Sequence, residues 1–447
     1  MAGFGDVRVA ERADWFVERI ALTGSLVLKR VGGGRAGEIA VNRLLSSPNC
    51  SAAAVIDTFS ARMAGACAGR QIVCAQDTSE INFKGRAARR EGLGPAGDGV
   101  SPGFFIHPLV AIDVKDGALL GIGGAHIWTR PAGKASSRHK RAPGGKESAR
   151  WLEGAQRAGE VFAKAARITV VGDRESDIFH LLAQRPANVE LIVRAAQDRA
   201  LEDCSLGDGE RLFAALAAQE VLERRDVKIA PRGPGDRGRV AQVELRSRRV
   251  AIKRPRTLRA HEAPDVVEMT LVEAREINPP PGEKKPLLWR LLSSEDRPAG
   301  EIVDLYRLRW RIEEVFRTLK SGLGLPETQM HEASRIMLLA AFALGAAARV
   351  IQLVDARDGS SRPMEDVLDP VFEPALGAIS RGLEGKTERQ KNPHARGTLA
   401  FVSWICARLG GWNCYYKPPG PKTMNTGWNA LAQQLKGYAI AKGYENV

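Results

Sequence analysis

Tyr306-Arg-Leu-Arg-Trp-Arg-Ile-Glu-Glu-Val-Phe-Arg-Thr-Leu-Lys320 is the stretch of this sequence with the clearest two-faced pattern. At about 100° per residue, a helix over this stretch brings Tyr306, Arg309, Glu313 and Lys320 within roughly 60° of one another. The pattern therefore predicts an amphipathic helix with a focused polar face. The adjoining apolar stripe consists of Leu305, Leu308, Ile312, Val315 and Leu319.

The polar stripe combines one carboxylate, two cations and a phenol. These groups suit a metal ion together with a run of phosphates, because carboxylates bind hard cations and guanidinium groups bind phosphate. For an isolated segment, a solvated surface helix with ion pairs is the commoner explanation. The choice between the two depends on what the rest of the chain supplies.

The composition favours an anionic partner. The 447 residues suggest on the order of two to four domains, and 66 basic against 52 acidic residues leave a net charge of +14. Such a charge favours a polyanion or an acidic surface. The cysteines have no C-x-x-C or finger spacing, so neither structural zinc nor a disulfide framework is indicated, and we expect reduced thiols. They are Cys50, Cys67, Cys74, Cys204, Cys406 and Cys414.

Nothing in the sequence predicts export or a membrane span. Asp6 and Glu11 interrupt the N-terminus, which is not typical of a secretory signal. The longest apolar run, Ile336 to Ala348, is too short to cross a bilayer and is interpreted as a core helix. We therefore expect a cytoplasmic protein with no membrane partner.

Two short apolar strands are each followed by an aspartate. Gln71 to Gln76 precedes Asp77, and Ile168 to Gly172 precedes Asp173. The other segments predict a mixed α/β sheet with helices packed on it. They are helices over 8–68 with a break at 46–49 and a cap before the Ala-rich segment that starts at Ser51, strands over 104–114 and 118–128 joined by a turn at 115–117, a helix over 146–165 and a strand over 189–194.

A compositional change marks residues 195–295. Between residues 224 and 259 there are thirteen Lys or Arg residues against three acidic ones. Short alternating segments here predict a β-rich insertion with one basic face, although a solvated charge run is the alternative. A strand is predicted over 287–293, and helices are predicted for the remainder of the chain after Lys320.

Asp77, Asp173 and Glu313 form the predicted catalytic and metal-binding set. Mg²⁺ binds carboxylate oxygens, and a pair of such ions about 4 Å apart activates an attacking oxygen and stabilises a leaving one. The alternative for each aspartate alone is a helix cap or turn former. The lone histidines at 107, 126, 180 and 331 lack ligand spacing and are not assigned to a metal.

Three ordered motifs carry a resemblance to a known family. Gln76-Asp77-Thr78-Ser79, Gly172-Asp173-Arg174-Glu175-Ser176-Asp177-Ile178 and Tyr306-x2-Arg309-x3-Glu313-x6-Lys320 together resemble the cut-and-paste DDE transposases of bacterial insertion sequences. The likeness is closest to the Tn-five type within the IS-four family. It continues to Ala407-Arg-Leu-Gly-Gly411 and Gly427-Trp428, so it covers most of the chain.

The resemblance implies a fold and a domain plan. The expected fold is α/β, with a ribonuclease-H-like (integrase-like) mixed-sheet catalytic core over 69–330 that is interrupted by the β-rich insertion at 195–295. Helical domains flank it: residues 1–68 for DNA binding and residues 331–447 for dimerisation. The implied partners are double-stranded DNA, as inverted-repeat ends and target, and a second copy of the chain. The implied location is the bacterial cytoplasm, on the nucleoid.

The resemblance also implies residue roles. Asp77, Asp173 and Glu313 bind Mg²⁺ or Mn²⁺, with two ions in each active site, and Tyr306, Arg309, Lys320 and Arg194 contact phosphates. Trp289 stacks against a base flipped out during hairpin formation, and aromatic stacking returns about 1 to 3 kcal/mol of the unpairing cost. The alternative for Trp289 is a core aromatic.

The implied reaction cuts the element ends, forms and reopens a hairpin, and transfers the freed 3′-hydroxyl to target DNA. Tyr306 is interpreted as a phosphate ligand and not as a nucleophile. Two departures stand out: the segment from Gly24 to Asn42 is shorter than in the family, and Ser176 replaces its usual alanine. Two other functions remain open, namely an inactive DNA-binding relative that inhibits transposition and a sequence-tolerant nuclease.

Gly32, Gly34 and Gly37 spell G-x-G-x-x-G, with Asp57 twenty residues after Gly37. A dinucleotide site requires a strand before the glycines and a second strand ending at the acid. Because Asp57 follows an Ala-rich helical run, we do not predict a cofactor there.

Overall fold

The computed structural model describes residue 4 and residues 6–83, 90–97, 99–130, 147–202, 211–217, 219–229, 238–283, 286–360, 362–415 and 417–444. The backbone divides into two compact units. The first unit comprises Met1–Ala68, Thr78–Ala135 and Arg311–Val447, and the second comprises Gly69–Asp77 and Ser136–Trp310.

The described residues form both helices and strands. The helices are α1 (Val7–Thr23), α2 (Leu28–Gly32), α3 (Arg35–Leu45), α4 (Ala52–Ala66), α5 (Ala149–Val161), α6 (Phe179–Gln184), α7 (Ala299–Arg307), α8 (Arg311–Arg317), α9 (Ala333–Ala356), α10 (Glu373–Leu383), α11 (Leu399–Leu409) and α12 (Pro421–Lys442). The strands are β1 (Gln71–Gln76), β2 (Ser79–Asn82), β3 (Gly94–Pro95), β4 (Pro102–Asp113), β5 (Leu119–Trp128), β6 (Arg167–Gly172), β7 (Glu190–Arg194), β8 (Glu223–Ile229), β9 (Arg239–Lys253), β10 (Val266–Glu276) and β11 (Leu288–Ser293).

The first unit begins with four helices, as predicted for residues 8–68. The expected cap of α4 is confirmed, because Ser51 Oγ accepts a hydrogen bond from the N–H of Ala54 at 3.2 Å. The glycine-rich segment forms the turn between α2 and α3. A Cβ at Gly37 would lie 1.9 Å from the carbonyl oxygen of Gly32, so the turn needs glycine. No described strand precedes these glycines, and Asp57 lies within α4.

Helix α9 lies at the centre of the first unit. Among the described residues it is the one helix that is long and apolar enough to cross a membrane, with a mean hydropathy of 2.0 in its most apolar segment. However, 83% of that segment is buried inside the protein. Gln352 donates a hydrogen bond to the carbonyl oxygen of Leu120 at 2.6 Å, which joins α9 to β5. The interpretation of 336–348 as a core helix is therefore confirmed.

The strands of the first unit are antiparallel. β4 pairs with β2, β3 and β5. The predicted strands over 104–114 and 118–128 correspond to β4 and β5, and Gly117 adopts a φ of 70° in the turn between them. A positive φ favours glycine, which explains the turn signal in the sequence.

The second unit contains a mixed sheet. β1 pairs in parallel with β6, and β6 pairs in parallel with β7. The order then continues antiparallel through β11, β10, β9 and β8. β1 and β6 are buried along their length apart from the first residue, as expected for parallel strands covered on both faces. The predicted mixed α/β class is confirmed.

The insertion is rich in β-strand, but its predicted basic face needs correction. Many of its cations have acidic partners: Arg224 pairs with Glu244 at 2.9 Å, and Arg249 pairs with Glu268 at 3.4 Å. The excess of Lys and Arg lies between residues 224 and 259, whereas Glu268, Glu273 and Glu276 lie on the neighbouring β10. Strand pairing therefore supplies counter-charges that a linear window does not include.

The prediction of one continuous helix from Tyr306 to Lys320 is wrong. α7 ends at Arg307, a 3-10 turn covers Leu308–Trp310, α8 follows, and a π-helical turn covers Thr318–Gly322. A uniform 3.6-residue period cannot represent the tighter and wider turns. The apolar stripe is buried at Leu305, Ile312, Val315 and Leu319 but not at Leu308.

Two glycines of α12 provide a test of how closely α12 packs against α11. A Cβ at Gly427 would lie 1.5 Å from the carbonyl oxygen of Cys406 on α11, whereas a Cβ at Gly437 meets nothing within 4 Å. We expect Gly427→Ala to lower the free energy of unfolding by about 1–3 kcal/mol because the backbones must separate. Gly437→Ala, the matched control, should raise it by up to about 1 kcal/mol. Urea unfolding measures both changes, and a neutral Gly427→Ala would contradict the close approach.

Candidate functional site

The parallel strands of the second unit align three predicted site residues. The register pairs Ala75 with Val171 and Gly172 with Val193. Continued past the strand ends, it sets Asp77 level with Asp173 and Asp173 level with Arg194. Neighbouring strands lie about 4.8 Å apart, so these residues follow one edge of the sheet. The edge carries two carboxylates beside a guanidinium group.

Asp77 has a cationic partner from the stretch between Tyr306 and Lys320. Arg309 Nη1 donates to Asp77 Oδ2 at 2.7 Å, and the two side chains are only 15% and 16% exposed. Arg309 lies in the 3-10 turn after α7, so the turn that breaks the predicted helix also delivers this side chain. Charge-assisted bonds of this kind are among the stronger ones in proteins.

Asp173 begins a 3-10 turn. Its Oδ1 accepts a hydrogen bond from the N–H of Glu175 at 2.8 Å, which is the capping role considered as the alternative for this residue. Within the described part of the chain, Oδ2 of Asp173 makes no hydrogen bond or ion pair. Ser176, which replaces the family's alanine, is fully buried and donates to the carbonyl oxygen of Asp173 at 2.6 Å. The serine therefore adds a bond to the turn.

A buried charge pair fixes this turn to the end of β7. The carboxylate of Asp177 is fully buried and accepts from Arg199 Nη2 at 2.7 Å and Nε at 3.0 Å. It also accepts from the backbone N–H groups of Ala196 and Gln197, each at 2.8 Å. Sequence reasoning missed Arg199, because nothing in its spacing connects it with Asp177. The pair joins the loop that carries Asp173 to the segment that follows Arg194.

Tyr306 lies beside these cations and is only 4% exposed. Burial raises the pKa of its hydroxyl, the positive charges of Arg309 and Arg194 lower it, and the negative charge of Asp173 raises it. The net shift is upward, so the phenol stays protonated at neutral pH and keeps a proton that it can donate to a ligand. Trp289 contacts the tyrosine edge to face, with ring centroids 5.4 Å apart.

The guanidinium group of Arg194 has a backbone partner on β11. Its Nη2 donates to the carbonyl oxygen of Leu288 at 3.0 Å, beside Trp289 on β11. Burial lowers the pKa of its guanidinium group, and Tyr306 raises it. A guanidinium with a lowered pKa is still charged at neutral pH, so Arg194 contributes a fixed positive charge. The second unit thus brings together Asp77, Asp173, Arg194, Trp289, Tyr306 and Arg309.

The remaining two predicted residues belong to the first unit. Glu313 lies in α8, and Lys320 lies in the π-helical turn, a type of distortion often found at functional sites. Burial lowers the pKa of Lys320, while the charges of Glu80 and Glu313 raise it. The Lys320 ammonium makes no hydrogen bond or ion pair with the described residues. Sequence reasoning missed Glu80, although it lies only three residues after Asp77.

The predicted metal ligands have suitable chemistry. Asp77, Asp173 and Glu313 offer the carboxylate oxygens that Mg²⁺ and Mn²⁺ prefer. In the part of the chain that the structure describes, no group of three or more His, Cys, Asp or Glu side chains is arranged to hold a metal ion. The structure brings Asp77 and Asp173 to one sheet edge of the second unit. The ligand set stays a prediction.

A comparison with protein families found a match to one segment of the chain. Residues 242–348 match a family model described as a transposase DDE domain. The matched segment is similar to that family and supports a DDE transposase. It begins after Asp173, so it does not include the two aspartates. It includes Trp289, Tyr306, Arg309, Glu313 and Lys320.

The Asp177–Arg199 pair gives a stability prediction. Asp177→Asn removes the counter-charge of a guanidinium that is 5% exposed, and we expect a loss of about 3–5 kcal/mol in the free energy of unfolding. Glu175→Gln is the control, because the Glu175 side chain is 64% exposed where it pairs with Arg150 at 3.1 Å. The control should cost less than about 1 kcal/mol. Equal losses in denaturant titrations would contradict the role of the buried pair.

Proposed function

We propose that this protein is a metal-dependent DDE transposase that moves an insertion sequence by a cut-and-paste reaction. One observation carries the proposal: the parallel register sets Asp77 level with Asp173 at a sheet edge that also bears Arg194, Arg309 and Tyr306. Two carboxylates with convergent phosphate-binding groups suit phosphoryl transfer. The family match over residues 242–348 supports the same function.

The proposal includes a ribonuclease-H-like core over 69–330. The parallel β1, β6 and β7 support that core, because Asp77 follows β1, Asp173 follows β6 and Arg194 ends β7. We assign residues 1–68 to recognition of the element ends and residues 331–447 to dimerisation. The substrates are inverted-repeat ends and target duplex, and the protein acts in the bacterial cytoplasm on the nucleoid.

Asp77, Asp173 and Glu313 would hold two Mg²⁺ or Mn²⁺ ions. When bound, the ions activate an attacking oxygen and stabilise the leaving oxygen of an in-line displacement. Before that, Arg309 neutralises Asp77, which reduces repulsion between the two aspartates at the sheet edge. The Arg309–Asp77 bond must lengthen if both Asp77 oxygens are to bind a cation. Arg309 is then available for a phosphate.

The other residues bind and orient DNA. Tyr306 donates its proton in a hydrogen bond to a phosphate oxygen, because its raised pKa disfavours the phenolate that a nucleophile requires. Arg194 and Lys320 supply positive charge to the same backbone. The attacking oxygen is first water, then the released 3′-hydroxyl on the opposite strand, then water at the hairpin, and finally the 3′-hydroxyl on target DNA.

Cleavage of DNA that carries the inverted repeats flanking this gene tests the proposal. With Mg²⁺, the wild type should produce nicked, hairpinned or double-strand-cut ends. Asp77→Asn, Asp173→Asn and Glu313→Ala should each lower the rate by at least about 10³-fold, because one ligand of the metal pair is lost. Glu175→Gln, in the same turn as Asp173, is the control and should cleave normally.

Three other results would each contradict part of the proposal. Binding of the ends without cleavage by the wild type would indicate an inactive relative that inhibits transposition. Equal cutting of DNA that lacks the repeats would indicate a sequence-tolerant nuclease. Unchanged cleavage by Glu313→Ala would remove that residue from the active site. Circular dichroism of each variant separates lost chemistry from lost folding.

Replacement of Trp289 should impair hairpin formation and leave the first-strand nick unaffected. Its ring is partly exposed and contacts Tyr306, so one face is available for a flipped base. Trp289→Ala should slow hairpin formation by about 10- to 100-fold, because stacking contributes about 1–3 kcal/mol. First-strand nicking should remain normal, and Trp289→Phe should retain part of the hairpin rate. Gel assays of both products test this, and equal loss of both steps would assign Trp289 a structural role.

A further inference from the structure

A charged groove in the first unit contains none of the predicted catalytic or phosphate-contacting residues. It has a volume of about 210 Å³, well above the space of about 30 Å³ that one water takes in the liquid. Its charged lining comes from α1, α4, α9 and the 3-10 turn Met364–Asp366, and the residues are Asp14, Glu18, Arg62, Arg349 and Asp366. Leu120, Gly121 and Ile122 of β5 also line the groove.

Arg349 is the unusual member of the lining. Within the described residues its guanidinium makes no hydrogen bond and no ion pair. The ring of Trp428 lies 5.6 Å from the guanidinium carbon. The pKa of Arg349 is lowered to about 10, chiefly by burial and next by the positive charge of Arg62, while the charges of Glu18 and Asp14 act in the opposite direction. A partly desolvated guanidinium without hydrogen bonds is costly, so a ligand that accepts from it would be stabilising.

Arg62 supplies a second guanidinium to the same groove. Its Nη2 donates to the carbonyl oxygen of Asp366 at 3.2 Å, which holds the side chain and leaves its other N–H groups for a ligand. Among the charges acting on Arg349, that of Arg62 is the strongest, and it has the same sign. Two like charges facing one cavity attract an anion between them.

The geometry favours a phosphate over a carboxylate. One planar guanidinium fork satisfies a carboxylate, whereas a tetrahedral oxyanion can accept from two guanidinium groups on different helices. The carboxylates of Asp14 and Glu18 limit the size of the anion, because a duplex would bring further phosphates against them. Burial raises the pKa of the Glu18 carboxyl, and the positive charge of Arg349 opposes that shift.

We propose that this groove binds the phosphate group of a small molecule between Arg62 and Arg349. None of the residues that line the groove is a predicted metal ligand or phosphate contact of the proposed reaction, so phosphate binding here does not require DNA cleavage. A backbone phosphate of DNA offers the same chemistry, but the acidic wall formed by Asp14 and Glu18 makes it the less suitable source.

Inorganic phosphate is the probe, titrated into the full chain at constant ionic strength. We expect saturable binding in calorimetry and a rise in melting temperature for the wild type. Arg349→Gln and Arg62→Gln should each weaken phosphate binding about tenfold or more, because each loses a charged hydrogen-bond donor. Arg381→Gln, an exposed arginine of α10 in the same unit, is the control and should bind as the wild type does.

Arg349→Lys keeps the charge without the fork and should bind with intermediate affinity. If Arg349→Gln does not fold, the exposed Arg62→Gln still provides the test. If the wild type does not bind phosphate, or if the wild type and both glutamine variants bind it equally well, the proposed site is wrong. Displacement of phosphate by duplex DNA would overturn the choice of a small ligand. Cleavage of inverted-repeat DNA is measured separately for the wild type, and phosphate binding does not depend on it, so the site and the proposed reaction can fail separately.

Discussion

Parallel pairing of β1, β6 and β7 is the constraint on which the candidate site depends. Each strand has side chains buried on both faces, and a slip of one residue would reverse the direction of every side chain. The apolar residues of the strands therefore fix the register, and the register fixes the residues at the strand ends. Asp77, Asp173 and Arg194 lie level as a consequence of core packing. The edge needs no flexible loop to align them.

The charges at this edge are balanced before any ligand binds. Arg309 pairs with Asp77, and the phenol of Tyr306 lies among Arg194, Arg309 and Asp173. The buried Asp177–Arg199 pair then holds the turn after β6 against the segment after β7. Such a pair adds little net stability over apolar residues of the same volume, but losing one partner is costly. Its effect here is to restrict the position of Asp173 relative to Arg194.

The sequence predicted the features that depend on local pattern. Apolar runs ending in aspartate located β1 and β6, and turn residues located the β4–β5 connection. Features set by tertiary placement were missed. The single helix over 306–320 is interrupted by 3-10 and π turns, and the cations of β8 and β9 have acidic partners on neighbouring strands. Arg199 and Glu80 lacked any spacing signal, because their neighbours are brought to them by the fold.

Direct measurement of metal binding tests the central claim most closely. Mn²⁺ is titrated into the full chain with inverted-repeat DNA present, and bound ions are counted by electron paramagnetic resonance. The account predicts two bound ions for each active site, with the count or affinity reduced in Asp77→Asn, Asp173→Asn and Glu313→Gln. Binding of Mn²⁺ that is the same in the wild type and all three variants would contradict the assignment of these carboxylates as metal ligands.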